Sequence, residues 1–143
     1  MRFMIAAAAL SLMAGQAHAA DPVEGDWMPD SGTKVHVAPC AAHADQMCGV
    51  ITWMKNPNNA AGQPARDTSN PDPSLRGRTL VGLPFIRDFH RAEPGRWTGG
   101  KIYDPDSGKT YNSKMQVGAD GALKVAGCVL VFCQAQSWRR APF

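Results

Sequence analysis

Past its first 13 residues the chain has no apolar run approaching the roughly 20 residues that cross a bilayer as a helix. It has no C-x-x-C pair and no Cys/His spacing of a zinc site, which excludes the common redox and zinc-ribbon chemistries. It has no block of Lys and Arg. The basic residues are scattered among Asp, Asn and Pro, which excludes a phosphate-tracking groove and with it nucleic acid as a partner. Gly and Pro interrupt the chain so often that no long 3.6-residue periodicity survives, which argues against a helical domain. A phosphate loop is missing too: Gly108-Lys109-Thr110 ends like one, but Tyr103 stands where its first glycine belongs. Asp104, Asp106 and Gly108 lack the spacing and the terminal Glu of a calcium loop and read as a turn. No metal site and no cofactor is expected.

What is present begins with a leader. Arg2, the apolar stretch from Phe3 to Met13, then Gly15, Gln16 and Ala17-His18-Ala19 before Ala20 follow the order of a cleavable signal peptide. The expected division is residues 1–19 as leader and 20–143 as one exported domain, in the periplasm or secreted. No cysteine follows the cut, so no lipid anchor is expected. Without Arg2 the formal charge of +3 falls to +2, close to neutral. The four cysteines, Cys40, Cys48, Cys128 and Cys133, fit an oxidising compartment as two disulfides. Three pairings are possible, and the two short loops, each bracketing a turn, favour Cys40 with Cys48 and Cys128 with Cys133.

Short runs of Val, Ile, Thr, Trp and Tyr between turn residues predict strands near Glu24–Met28, Lys34–Ala38, Cys48–Met54, Thr79–Ile86, Arg96–Tyr103, Thr110–Val117, Leu123–Gly127 and Phe132–Arg140. Tyr111, Ser113, Met115 and Val117 alternate onto one face. Asp30-Ser31-Gly32, Asp104 to Gly108 and Gly118 to Gly121 supply hairpin turns. Eight strands of this kind predict an all-β protein, a small antiparallel barrel whose closure removes its edges. In a closed barrel the first and last strands are neighbours, so Arg140 is expected to stack on Trp27 and seal one end.

Two segments stand apart. Asn56 to Arg78, with Pro57, Pro64, Pro71 and Pro73, holds neither a regular strand nor a long helix and reads as one long loop, in which Asp67, Asn70, Arg76 and Arg78 are candidates for an ordering network of ion pairs and hydrogen bonds. Val129-Leu130-Val131-Phe132 lies where a turn is ordinarily polar. It is either an exposed apolar patch or tucks into the barrel mouth.

Gly25-Asp26-Trp27, Cys48 to Trp53, Asp67 to Pro71, Leu75-Arg76-Gly77-Arg78, Gly82-Leu83-Pro84, Trp97-Thr98-Gly99-Gly100-Lys101-Ile102-Tyr103-Asp104-Pro105, Ser107 to Tyr111 and Trp138-Arg139-Arg140 together resemble the exported bacterial family called domain of unknown function 2147. The resemblance spans nearly the whole mature chain and implies a lipocalin-like (calycin-type) eight-stranded barrel closed by a Gly-x-Trp and a late Arg. It implies no activity. The Cys128 and Cys133 pair is not a feature associated with that family.

Three functional readings follow. The leading one is a binding protein for a small apolar or amphipathic molecule, with Trp53, Trp97, Tyr103, Tyr111 and Met115 lining the barrel and Lys101, Arg78 or Lys114 meeting a polar head. The second is an envelope interaction module using the long loop or the apolar tip, without an enclosed ligand. The third is a hydrolase-type enzyme using Asp67 or Asp104 with a nearby Lys or Tyr, and it ranks last because the sequence selects no convergent nucleophile and base. No catalytic residue is assigned, and the sequence does not specify an oligomeric state.

Overall fold

The computed structural model describes residues 19–143. The leader therefore lies, but for Ala19, outside the described residues. Alternating apolar positions between tight turns produce strands β1 (Gly25–Met28), β2 (Thr33–Pro39), β3 (Gln46–Met54), β4 (Pro84–Glu93), β5 (Arg96–Asp104), β6 (Lys109–Val117), β7 (Leu123–Val129) and β8 (Phe132–Arg140). Each pairs antiparallel with the next, and β8 returns to β1 through Trp27 opposite Arg140, closing the barrel. Closure leaves no strand edge exposed to another chain. The fold is all-β and lipocalin-like in its up-and-down order, with one turn of 3-10 helix at Pro73–Leu75.

One end of the barrel is solid. Val23, Trp27, Val37, Met47, Phe89, Trp97, Met115 and Leu123 pack there, all buried. The segment before β1 plugs this end: Trp27 Nε1 donates to Val23 O at 2.8 Å. Asp21 Oδ1 accepts from Gly95 N and Trp97 Nε1, both at 3.1 Å, tying the segment to the β4–β5 hairpin. Arg140 lies 3.9 Å from the Trp27 ring centroid and donates to Glu24 O and Pro22 O. Gly25 is required beneath it, because a Cβ there would stand 2.4 Å from Arg140 Nη1 and its φ is +123°.

Disulfides join Cys40 to Cys48, between β2 and β3 at the solid end, and Cys128 to Cys133, between β7 and β8 at the other. By loop length each contributes about 2–3 kcal/mol through the unfolded state.

The fourth strand begins later than the sequence predicts, at Pro84 rather than Thr79. Thr79–Leu83 instead closes the long loop: Leu80 N donates to Ala65 O, Leu83 N to Leu80 O, and Gly82 turns at φ +94°. The strand itself was hidden by a bulge. Asp88 sits at φ 63°, so Ile86 and Phe89, three apart, both point inward and the period of two is lost.

Candidate functional site

Towards the other end, where the 29–32, 105–108 and 130–131 turns and the 55–83 loop gather, the barrel is hollow. A cavity of about 1110 Å³ occupies this half. Its wall is built from inward positions of seven strands: Val35, Ile51, Phe85, Ile102, Val125 and Trp138 give apolar surface, and Thr33, Tyr111, Gln134 and Gln136 interrupt it with polar groups. Phe85 and Trp138 stack with centroids 6.2 Å apart and form the floor over the solid core. Asp104 and Asp106 stand at the mouth with Leu80 and Phe132. No Lys or Arg lines the cavity among the described residues.

The structure redistributes the residues singled out from sequence. Tyr103 and Tyr111 line the cavity. Trp97 and Met115 are buried in the core of the solid end, although both also border a smaller hollow of about 210 Å³ against β5–β8, together with Lys114. Trp53 does not reach the cavity. One extra residue in β3 between Ile51, opposite Val35, and Trp53, opposite Lys34, turns Trp53 outward, where it meets Phe143 edge-on at 5.3 Å and is 40% exposed. Lys101 is corrected for the same reason. An extra residue at Gly99 in β5 shifts Gly100 and Ile102 inward and leaves Lys101 on the outside, bonded to Asn112. Lys114, between the buried Ser113 and Met115, also faces out. The residues missed, Phe85, Ile102, Val125, Gln134, Gln136 and Trp138, include a period-two run on β8 that glutamines disguise as solvent-facing.

Arg78 belongs to a clamp at the rim. Asp67 is fully buried, and its carboxylate accepts from Tyr103 Oη at 2.5 Å, Asn70 Nδ2 at 2.8 Å, Arg78 Nε at 3.0 Å and Arg78 Nη2 at 2.9 Å. Arg76 Nε donates to Asn70 O at 2.7 Å. The network Asp67, Asn70, Arg76 and Arg78 thus orders the long loop, and Tyr103 fastens it to β5. Gly108 completes the seam. At φ +70°, with Ser69 O only 2.0 Å from where a Cβ would sit, only glycine fits between turn and loop.

Burial opposes ionisation of Asp67, but hydrogen bonds from Tyr103, Asn70 and Arg78 and the Arg78 charge outweigh it and hold the carboxyl below its ordinary 3.8. Burial, with the hydrogen bond and charge of Asp67, pushes the Tyr103 hydroxyl up to about 12. Both groups are displaced away from neutrality, and a carboxylate whose oxygens are already filled by four donors is poorly placed to take a proton. Asp104 is occupied in its turn, accepting from Asp106 N and Ser107 Oγ. The arrangement is a mechanical clamp that ties the long loop to the barrel.

A solved structure of similar shape is "Protein HP1028 from the human pathogen Helicobacter pylori belongs to the lipocalin family", with a TM-score of 0.71 and 20% identity over 83% of this chain and 82% of that one. At that identity the likeness concerns the fold. No curated protein matches the chain significantly. A family profile described as "Uncharacterized protein conserved in bacteria (DUF2147)" matches residues 25–140, from the glycine under the closing arginine to that arginine itself, and the chain belongs to this family.

Proposed function

We propose that this protein is an exported carrier that holds a small apolar or amphipathic molecule inside its barrel. The observation that carries the reading is the cavity of about 1110 Å³ with a mainly apolar wall, in a fold whose other half is solidly packed. A void of this size lies just above the usual range for small-molecule pockets, and eight-stranded barrels accommodate one such ligand. The polar groups inside are neutral and the two charged side chains in the cavity lining, Asp104 and Asp106, are both acidic, so the ligand's polar end is neutral or cationic. This replaces the basic head-group contact expected from Lys101, Arg78 or Lys114. Export is supported by the leader-like residues 1–19 and by the two disulfides.

Native mass spectrometry of protein purified from the periplasm tests both parts. The expected result is a mature mass beginning at Ala20 with a co-purifying small molecule. Gln134→Trp, which narrows the cavity from β8, should weaken binding of a fluorescent acyl probe while leaving the unfolding free energy within about 1 kcal/mol of wild type. Retention of the full-length chain in the cytoplasm sinks the export reading. Failure of probes of every chain length to bind the folded protein sinks the carrier reading.

A further inference from the structure

From Ala126 to Trp138 no side chain carries a charge, and the two cysteines in the stretch are joined to each other. This stretch is the mouth-side part of the β7–β8 hairpin. At its tip Val129, Leu130, Val131 and Phe132 are 58, 88, 86 and 78% exposed. Leu130 adopts φ 53°, a conformation suited to Gly, Asn or Asp, so the turn carries backbone strain in order to present a leucine. The disulfide Cys128–Cys133 closes the hairpin immediately behind the tip. Val129 and Phe132 also line the cavity, so the apolar tip adjoins the interior.

We propose that this tip inserts into the interfacial layer of a lipid bilayer and sets the barrel mouth against the membrane. A strand rises about 3.3 Å per residue, so the uncharged arms behind Leu130 and Val131 allow entry of about 7–10 Å before Gln134, which matches the depth reached by interfacial anchors. Insertion to that depth brings no charged residue of the hairpin itself into the interface. A protein partner is a poorer fit: four side chains on a two-residue turn offer roughly 500–600 Å² even if fully covered, against about 800 Å² per partner in a stable interface. Across the mouth turns and the long loop, Asp30, Asp67, Asp72, Asp104 and Asp106 balance Lys55, Arg66, Arg76, Arg78 and Lys109 in charge. Apolar insertion rather than attraction to anionic lipid therefore drives docking. The passage of a molecule from bilayer to cavity rests on the carrier reading, whereas the docking itself does not.

Co-sedimentation of the mature protein with phosphatidylcholine vesicles tests the proposal. Wild type is expected to bind, and Leu130→Asp and Val131→Asp, both at exposed positions outside the cavity wall, should each weaken binding by roughly tenfold or more. Leu75→Asp, an exposed apolar position on the long loop, should change it by less than about twofold. Phe132→Trp should show a blue-shifted emission with vesicles that lipids brominated high on their acyl chains quench. The cavity-narrowed Gln134→Trp should still bind vesicles, which separates failure of the carrier reading from failure of docking. Absence of wild-type binding overturns the proposal. So does equal loss in Leu75→Asp, or loss of binding in about 0.5 M salt. Lipid-free dimerisation abolished by Val131→Asp assigns the tip to a second copy and overturns it too.

Discussion

Tyr103 is the residue on which the attachment of the long loop depends, because it supplies the barrel's own hydrogen bond to a buried carboxylate. Tyr103→Phe leaves Asp67 Oδ1 without that donor, and an unfilled buried acceptor costs about 1–3 kcal/mol. The pH dependence has a definite sign. Asp67 is depressed below 3.8 in the folded protein, so its contribution is complete above the ordinary carboxylate range and is lost as pH falls through the folded value. Tyr103 is raised from 10.0 to about 12, so its contribution is complete below pH 10 and is lost as pH rises towards 12. Urea midpoints should therefore show a constant gap between wild type and Tyr103→Phe from about pH 5 to 9, closing on either side. A gap that varies through neutrality would contradict the clamp. At the opposite end of the barrel, Arg140→Ala removes the stack on Trp27 and two hydrogen bonds to the first turn, for an expected loss of about 2 kcal/mol. Arg140→Lys should recover only part of it, since an ammonium cannot reproduce the planar fork. An unchanged urea midpoint for Arg140→Ala would show that closure rests on Trp27 packing alone.

Among the elements, the 55–83 loop is held to the barrel at two seams, the Asp67 clamp and the close approach of Gly108 to Ser69 O. Gly108→Ala introduces both a disfavoured φ and a clash with backbone, which has no soft side chain to move aside. The expected outcome is faster proteolysis between Asn56 and Arg78 with little change in the barrel's far-UV signal. Loop cleavage at the wild-type rate would mean that the clamp alone suffices. The same contact explains why Gly108-Lys109-Thr110 resembles the end of a phosphate loop: its glycine serves a packing need. Elements with unbroken alternation were legible in the sequence. Strand β8 spans the expected residues, and β6 carries Tyr111, Ser113, Met115 and Val117 inward as its period of two requires. Elements with bulges were not. Sequence alternation places Trp53 and Lys101 on the inner face, and one added residue in each strand reverses them. The clamp's four loop residues could be named from their types, but Tyr103 could not be joined to them, because the contact spans 36 residues and depends on how the loop folds back.

On the scale of the whole molecule, the barrel divides into a solid half that secures closure and a hollow half that encloses the cavity. The Gly25-x-Trp27 and Arg140 signals, far apart in sequence, made the closed topology legible because they serve the solid half, where packing admits few alternatives. The hollow half left a weaker trace, since a cavity wall needs inward residues that fail to meet, and Gln134 and Gln136 on an inner face look like ordinary surface. The two carboxylates in the cavity lining nevertheless give the hollow half a testable preference. With an effective dielectric constant of about 20, each carboxylate at about 8–15 Å from a ligand's charged end contributes about 1–2 kcal/mol, favourable for a cation and unfavourable for an anion. Asp104 and Asp106 act in the same direction, and no Lys or Arg in the wall opposes them among the described residues. Long-chain alkylammonium ions should therefore displace a neutral acyl probe at concentrations at least tenfold lower than fatty acids of equal length, a difference of about 1.4 kcal/mol or more. Asp104→Asn combined with Asp106→Asn should shrink that ratio, as should raising the salt to about 0.5 M. A fatty acid that binds as tightly as the amine would place the ligand's head away from the mouth and return the inner glutamines to consideration as its partners.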